Sequence, residues 1–325
     1  MNIIREDGHP SAGPTERVRW APVVTFVLLA CGLAWLTVLP AWISGEGLRH
    51  PLIGVMLIGM MFTPTLSMVV TMLVWRAPAT ERLRFLGMWP LRPARRVILM
   101  LLIGLVAPII VVTVTVAISG ALGLVQLDVV GLSGYQAALA ASVPAGTALP
   151  PVGILLAAQL VSIPIGAIAN SVSAAGEELG WRGWLLPSLR PLGTWPALLI
   201  TGAVWGLWHS PVILLGYNFN RPDLVGVALM VGGCVAWGIL FGWLRLRSGS
   251  VWPAVLAHGS LNAVGGLVFL LIAAGAVPDM GIVGPLGIVS WVVLAVVAVI
   301  LAVTGQFRRQ PPLAPARPTV PAPTP

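Results

Sequence analysis

Glu177, Glu178, Arg182, His209, His258 and Asn262 are the residues of this sequence placed to do chemistry, because each lies within or at the end of a long apolar run. A charge at the centre of a membrane helix costs about 2.5–3.5 kcal/mol on insertion scales, so its presence there marks a function or a specific pairing. Residues four apart share a helix face. Glu178 and Arg182 can therefore pair, in the favourable acid-before-base order, and His258 and Asn262 point the same way. Glu177 is turned by about 100° from Glu178, so one glutamate can be held by Arg182 while the other faces elsewhere. Asn170 and Ser173 precede Glu177 by seven and four residues and extend its face as a polar stripe. Glutamate and histidine in such a setting serve as general acids and bases, as proton relays or as zinc ligands. Taken singly, each cluster also reads as an ion pair at a helix end or a polar clamp between helices.

The elements that position these groups follow from composition. Of 325 residues, 58% are apolar and 9% charged, against about 25% charged in ordinary soluble domains. That excludes a soluble globule. All 18 basic residues are arginine, which excludes Schiff-base chemistry and a P-loop lysine. The net charge of +8 does not imply a nucleic-acid partner, because the arginines are spread over loops between apolar runs. Cys31 and Cys234 sit in apolar stretches and read as small buried hydrophobes.

A spanning helix needs about 20 mostly apolar residues. Candidates lie at 20–43, 51–75, 97–123, 152–176, 195–216, 224–244, 251–276 and 283–304. The expected fold is an all-α, polytopic membrane helix bundle of about eight spans. The first apolar run is too long for a signal-peptide core, so it is read as an uncleaved span. Arg5, Arg17 and Arg19, the six arginines of 76–96, Arg182, Arg190, Arg245, Arg247, Arg308, Arg309 and Arg317 fall in one set of loops and ends. The alternate loops hold only Arg49 and Arg221. The positive-inside bias then puts both termini in the cytoplasm. Residues 1–18 and the Arg/Pro-rich 307–325 read as disordered cytoplasmic tails. Residues 19–306 read as one membrane domain, with the motifs inside 152–265. The connection 124–150 has room for a short interfacial helix. A helix from 152 to 190 would be about 57 Å long, so it must tilt, kink at Pro164 or break near Gly176 and Gly180. The pairs Gly176/Gly180, Gly202/Gly206 and Gly238/Gly242 predict close helix contacts. The tryptophans, Trp205 and Trp208 among them, read as interface anchors and packing.

The segment Glu177-Glu178-Leu179-Gly180-Trp181-Arg182 reads EExxxR, Trp205 to His209 is an aromatic-xxx-His element, and His258 to Asn262 reads HxxxN. In this order, on three apolar helices, the pattern resembles the CPBP family, the type II CAAX prenyl endopeptidase-like intramembrane proteases. Trp205 departs from it, since the family more usually has phenylalanine there. The resemblance implies an endopeptidase that hydrolyses a peptide bond of a membrane-embedded protein or peptide. By that analogy Glu177 activates water with help from His209, His258 and Asn262 stabilise the oxyanion, and Glu178 and Arg182 hold the site. Amide hydrolysis does need an activated water and hydrogen donors at the developing oxyanion. No cofactor is expected. Zinc is the open alternative, on Glu177, His209 and His258, but no HExxH motif supports it. A non-catalytic scaffold, such as an immunity or partner-binding factor, is the second reading. A proton-coupled transporter is the third, lacking evident inverted repeats. The arginine-only, Gly/Ala/Pro/Val-rich usage points to a GC-rich bacterial genome, hence to the inner membrane, with the active site reached from the cytoplasm. The sequence implies no oligomeric state and does not require a prenylated substrate.

Overall fold

The computed structural model describes residues 17–144, 147–308 and 310–311. The expectations for the two tails therefore fall almost wholly outside the described residues. The helices are α1 (Trp20–Ile43), α2 (Ile53–Trp75), α3 (Arg82–Phe85), α4 (Ala94–Ala121), α5 (Ser133–Ser142), α6 (Val152–Glu178) and α7 (Leu186–Leu189). After them come α8 (Thr194–Trp208), α9 (Ser210–Ile213), α10 (Leu224–Ser248), α11 (Trp252–Val264), α12 (Leu267–Leu271), α13 (Met280–Val283) and α14 (Ile288–Val303). Among the described residues the fold is all-α.

Among the described residues seven helical segments are long and apolar enough to cross a membrane, not eight. The exception is the expected span 195–216. Its helix α8 stops after 15 residues, and α9 follows beyond His209. Pro211 is the physical reason, because it lacks an N–H and its ring collides with the carbonyl four residues back. The fourth span does not break at Gly176 or Gly180. It runs as one segment over Val152–Leu192, with Leu179–Leu185 wound as π-helix. The short helix expected in 124–150 is α5.

Contacts sort the loops onto two ends of the bundle. At one end Arg19 donates to the Trp75 carbonyl at 3.4 Å, Trp184 to that of Ala77 at 2.7 Å, and Arg190 to Gln310 at 3.0 Å. At the other, Trp42 donates to the Pro211 carbonyl at 3.0 Å, the Asp128 N–H to the Leu271 carbonyl at 2.8 Å, and Arg221 meets Asp279 at 3.3 Å. Eight passes join these ends, seven by long helices and one by α8 with α9. Both ends of the described chain thus lie on the arginine-rich side. The outer faces of α1, α2, α4, α6 and α14 expose large apolar side chains, as contact with lipid requires. The chain is an integral membrane protein.

The expected glycine contacts are present. A Cβ on Gly202 would lie 2.7 Å from the Val235 backbone, and one on Gly206 would overlap that of Val231, so α8 lies directly on α10. A Cβ on Gly180 would lie 2.6 Å from Pro64, which seats the end of the fourth span on α2. Arg245, counted above among the topology arginines, is instead wholly buried. It donates to the carbonyls of Arg182 at 3.1 Å and Phe85 at 2.8 Å. Gly87 leaves room for its guanidinium, 2.6 Å from where a Cβ would stand.

Gly206→Val should destabilise the protein by about 3 kcal/mol or more, at the upper end for overpacked contacts. Thermal unfolding in detergent measures this, with Gly32→Val, which meets no neighbouring atom within 4 Å, as the unaffected control.

Candidate active site

The two adjacent glutamates part company, as their 100° offset requires. Glu178 is wholly buried and Glu177 2% exposed, but only Glu177 lines the cavity. Glu178 Oε1 accepts from Arg182 at 2.8 Å and lies 2.9 Å from His258 Nδ1. The spacing-based pair is therefore present, and the same oxygen ties α6 to α11. The π-helical stretch begins at Leu179. Such stretches concentrate at functional sites because the wider turn re-aims side chains. The Arg182 guanidinium lies 4.4 Å above the Trp205 ring and 5.4 Å from that of Phe241. Phe241 also stacks on His258 at 5.7 Å, with 25° between the ring planes. Two aromatic faces thus cover the cation and one imidazole.

Glu177 is held from the opposite helix. Trp205 Nε1 donates to its Oε2 at 2.6 Å. Trp205 was expected to be an anchor, and its bond to Glu177 was missed. The signal available was its place one turn before His209, where phenylalanine would have no N–H to give. Trp208, likewise read as packing, lines the cavity and donates to Thr63 Oγ1 at 3.0 Å. His209 stands at the end of α8 rather than inside a continuous span. Its Nδ1 lies 2.9 Å from the Trp205 carbonyl oxygen, an acceptor, so Nδ1 carries the hydrogen and Nε2 the lone pair. Asn262 lies one turn beyond His258, lines the cavity and is exposed to it. Cys234 lines it too, with Sγ 3.9 Å from His209 Nδ1.

The cavity holds about 950 Å³, and Asn170 and Ser173 join Glu177 on its wall. Methionines at 60, 61, 230 and 280 make much of the rest. Tyr217 also lines it. Burial, and secondarily the nearby Glu177, push its hydroxyl above the ordinary tyrosine range, so it stays a neutral donor. The cavity extends from Glu177 toward the end of the bundle opposite the arginine-rich loops, where its lining residues Gly54, Asn218, Gly266 and Pro285 lie.

Glu177, His209 and His258 do not fit a zinc site as arranged. Among the described residues no three His, Cys, Asp or Glu side chains converge on a point where an ion could sit.

Breaking a buried ion pair by removing one partner costs about 3–5 kcal/mol, because the other charge is stranded. Arg182→Met should lower the unfolding midpoint accordingly. The double variant Glu178→Gln/Arg182→Met should recover much of the loss, which circular dichroism melts of the two proteins will compare.

Residues 157–264 match the family model "Type II CAAX prenyl endopeptidase Rce1-like". The chain is also 27% identical over 192 residues to CAAX prenyl protease 2 of Methanococcus maripaludis, covering 50% of this chain and 70% of that protein. The matched region contains all six site residues, the π-helical stretch and the cavity's polar wall. Over residues 157–264 this chain is thus similar to the Rce1-like type II CAAX prenyl endopeptidases, the CPBP group that its three motifs resemble.

Proposed function

We propose that the protein is a glutamate-dependent intramembrane endopeptidase acting on a membrane-associated protein or peptide. The observation that carries this reading is the meeting of Glu177, His209, His258 and Asn262 on one cavity. With Oε2 occupied by Trp205, Glu177 takes a proton from water on Oε1. The His209 Nε2 lone pair orients that water. The hydroxide attacks the scissile carbonyl carbon, and the oxyanion accepts hydrogen bonds from Asn262 Nδ2 and from Nε2–H of protonated His258. Glu177 then returns the proton to the amide nitrogen as the C–N bond breaks. Glu178 fixes the His258 ring through Nδ1 and is itself held by Arg182. The reaction runs without a metal, and the substrate needs no prenyl group. The bacterial inner membrane is the proposed setting.

Loss of a positioned general base costs about 10²–10⁴-fold. Glu177→Gln should therefore reduce cleavage by at least about 10²-fold while the protein remains folded and inserted. The substrate is found as the precursor that accumulates in Glu177→Gln membranes by comparative proteomics. Full activity in that variant would sink the proposal. Trp205→Phe, which removes one hydrogen bond to a carboxylate worth about 1.5–3 kcal/mol, should lower kcat about tenfold or more with little change in KM. Cleavage should survive 1,10-phenanthroline, and metal analysis of the active protein should find no stoichiometric zinc.

A further inference from the structure

Six arginines stand between residues 76 and 96, with Glu81 the one acid in that stretch. Arg84 pairs with Glu81 at 3.3 Å, both side chains being more than half exposed. Among the described residues, Arg76, Arg82, Arg92, Arg95 and Arg96 meet no carboxylate. Like charges this dense repel one another, so the stretch suits a partner that brings several negative charges.

Its apolar residues say which partner. Leu83 and Trp89 are 54% and 63% exposed between the arginines. Trp75, whose carbonyl accepts from Arg19, and the adjoining Trp20 are exposed at the same end of the bundle. A bilayer surface accommodates both kinds of group, with apolar side chains among the upper acyl chains and guanidinium at the phosphates. A free anion would leave Leu83 and Trp89 in water. The stretch joins α2 to α4, two of the helices long enough to cross the membrane, which places it at headgroup depth.

The underside of this loop is tied to the site. Phe85 and Leu86 are buried, and carbonyls of the loop accept hydrogen bonds from elements that carry site residues. Trp184 Nε1 donates to Ala77 at 2.7 Å and Arg245 Nη2 to Phe85 at 2.8 Å. The Val251 N–H donates to Gly87 at 3.0 Å and Trp252 Nε1 to Met88 at 3.2 Å. Trp184 shares the π-helical stretch with Arg182, and Trp252 opens α11, the helix of His258. Arg245 grips the Arg182 carbonyl with Nε while it holds that of Phe85. A shift of the loop is therefore passed to both partners of Glu178.

We propose that residues 76–96 form a binding surface for anionic lipid headgroups, and that phosphate held there steadies the Glu178 pairing through Arg245. Anionic lipid is thus a positive regulator of the site. The regulatory half rests on the endopeptidase reading, and the binding half does not.

The test places the full chain in nanodiscs of phosphatidylcholine alone, or of phosphatidylcholine mixed equally with phosphatidylglycerol. Hydrogen exchange of the loop amides is then followed by mass spectrometry. They should exchange at least about fivefold more slowly in the mixed discs, the effect of one arginine held at an anionic surface. The variant Arg84→Gln/Arg92→Gln/Arg95→Gln should lose that difference. Equal exchange of the parent in both discs, or a difference that the triple variant keeps, overturns the proposal. Inorganic phosphate added to phosphatidylcholine discs should not reproduce the protection. If it does, the surface takes free anions and the lipid assignment falls. Glu177-dependent cleavage of the accumulated precursor should also run at least about fivefold faster in the mixed discs, and only with the three arginines present. Equal cleavage in both discs, with the loop protected, overturns the coupling and leaves the protease reading intact. Loop protection without Glu177-dependent cleavage in any disc overturns the protease reading and leaves the lipid surface standing.

Discussion

One carboxylate oxygen organises this site. Glu178 Oε1 receives both Arg182 and His258, in a place where water cannot share the work. A buried charge is tolerable only when paired, and losing a partner costs far more than the pair itself contributes. The four participating helices are held together for that reason. Arg182 and Glu178 come from the fourth span, His258 from α11, and the rings that flank the cation from α8 and α10. Arg245 extends the constraint by anchoring the carbonyl of Arg182 itself. The polar groups that line the cavity are thus fixed from behind by groups that never touch it.

Much of this was legible in the sequence because membranes make it so. Span lengths are dictated by bilayer thickness, and α1 lies where the apolar run placed it, residue for residue. The Glu178–Arg182 pair follows from helical spacing alone. The failures have physical causes too. Apolar content could not show that the run 195–216 would be cut at His209, since the cause is one proline inside a stretch otherwise fit to span. Arg245 sits next to a loop in sequence, so it read as a surface charge, and only the packing of loop 82–87 against α10 buries it.

Trp205 shows how much one atom changes. Its ring does what phenylalanine would do, packing edge-on to His258 and beneath Arg182. Its indole N–H adds a fixed donor to one oxygen of Glu177. That leaves the carboxylate with one committed and one available face. A rotatable base in a wide cavity becomes an oriented one.

The π-helical stretch at Leu179–Leu185 has a consequence for how this chain compares with others. Each turn of π-helix holds more residues than an α-turn, so the fourth span behaves as an α-helix into which one residue has been slipped. Upstream, its stripe faces α11 through Ala167 and Ser171, where Gly259 admits them. Downstream, the stripe is rotated by about 100° and meets different neighbours. A relative lacking the extra residue would keep EExxxR in its sequence yet carry the arginine on another bearing. Alignment gaps inside this heptad therefore count as changes in the site's geometry, even where every motif letter is retained.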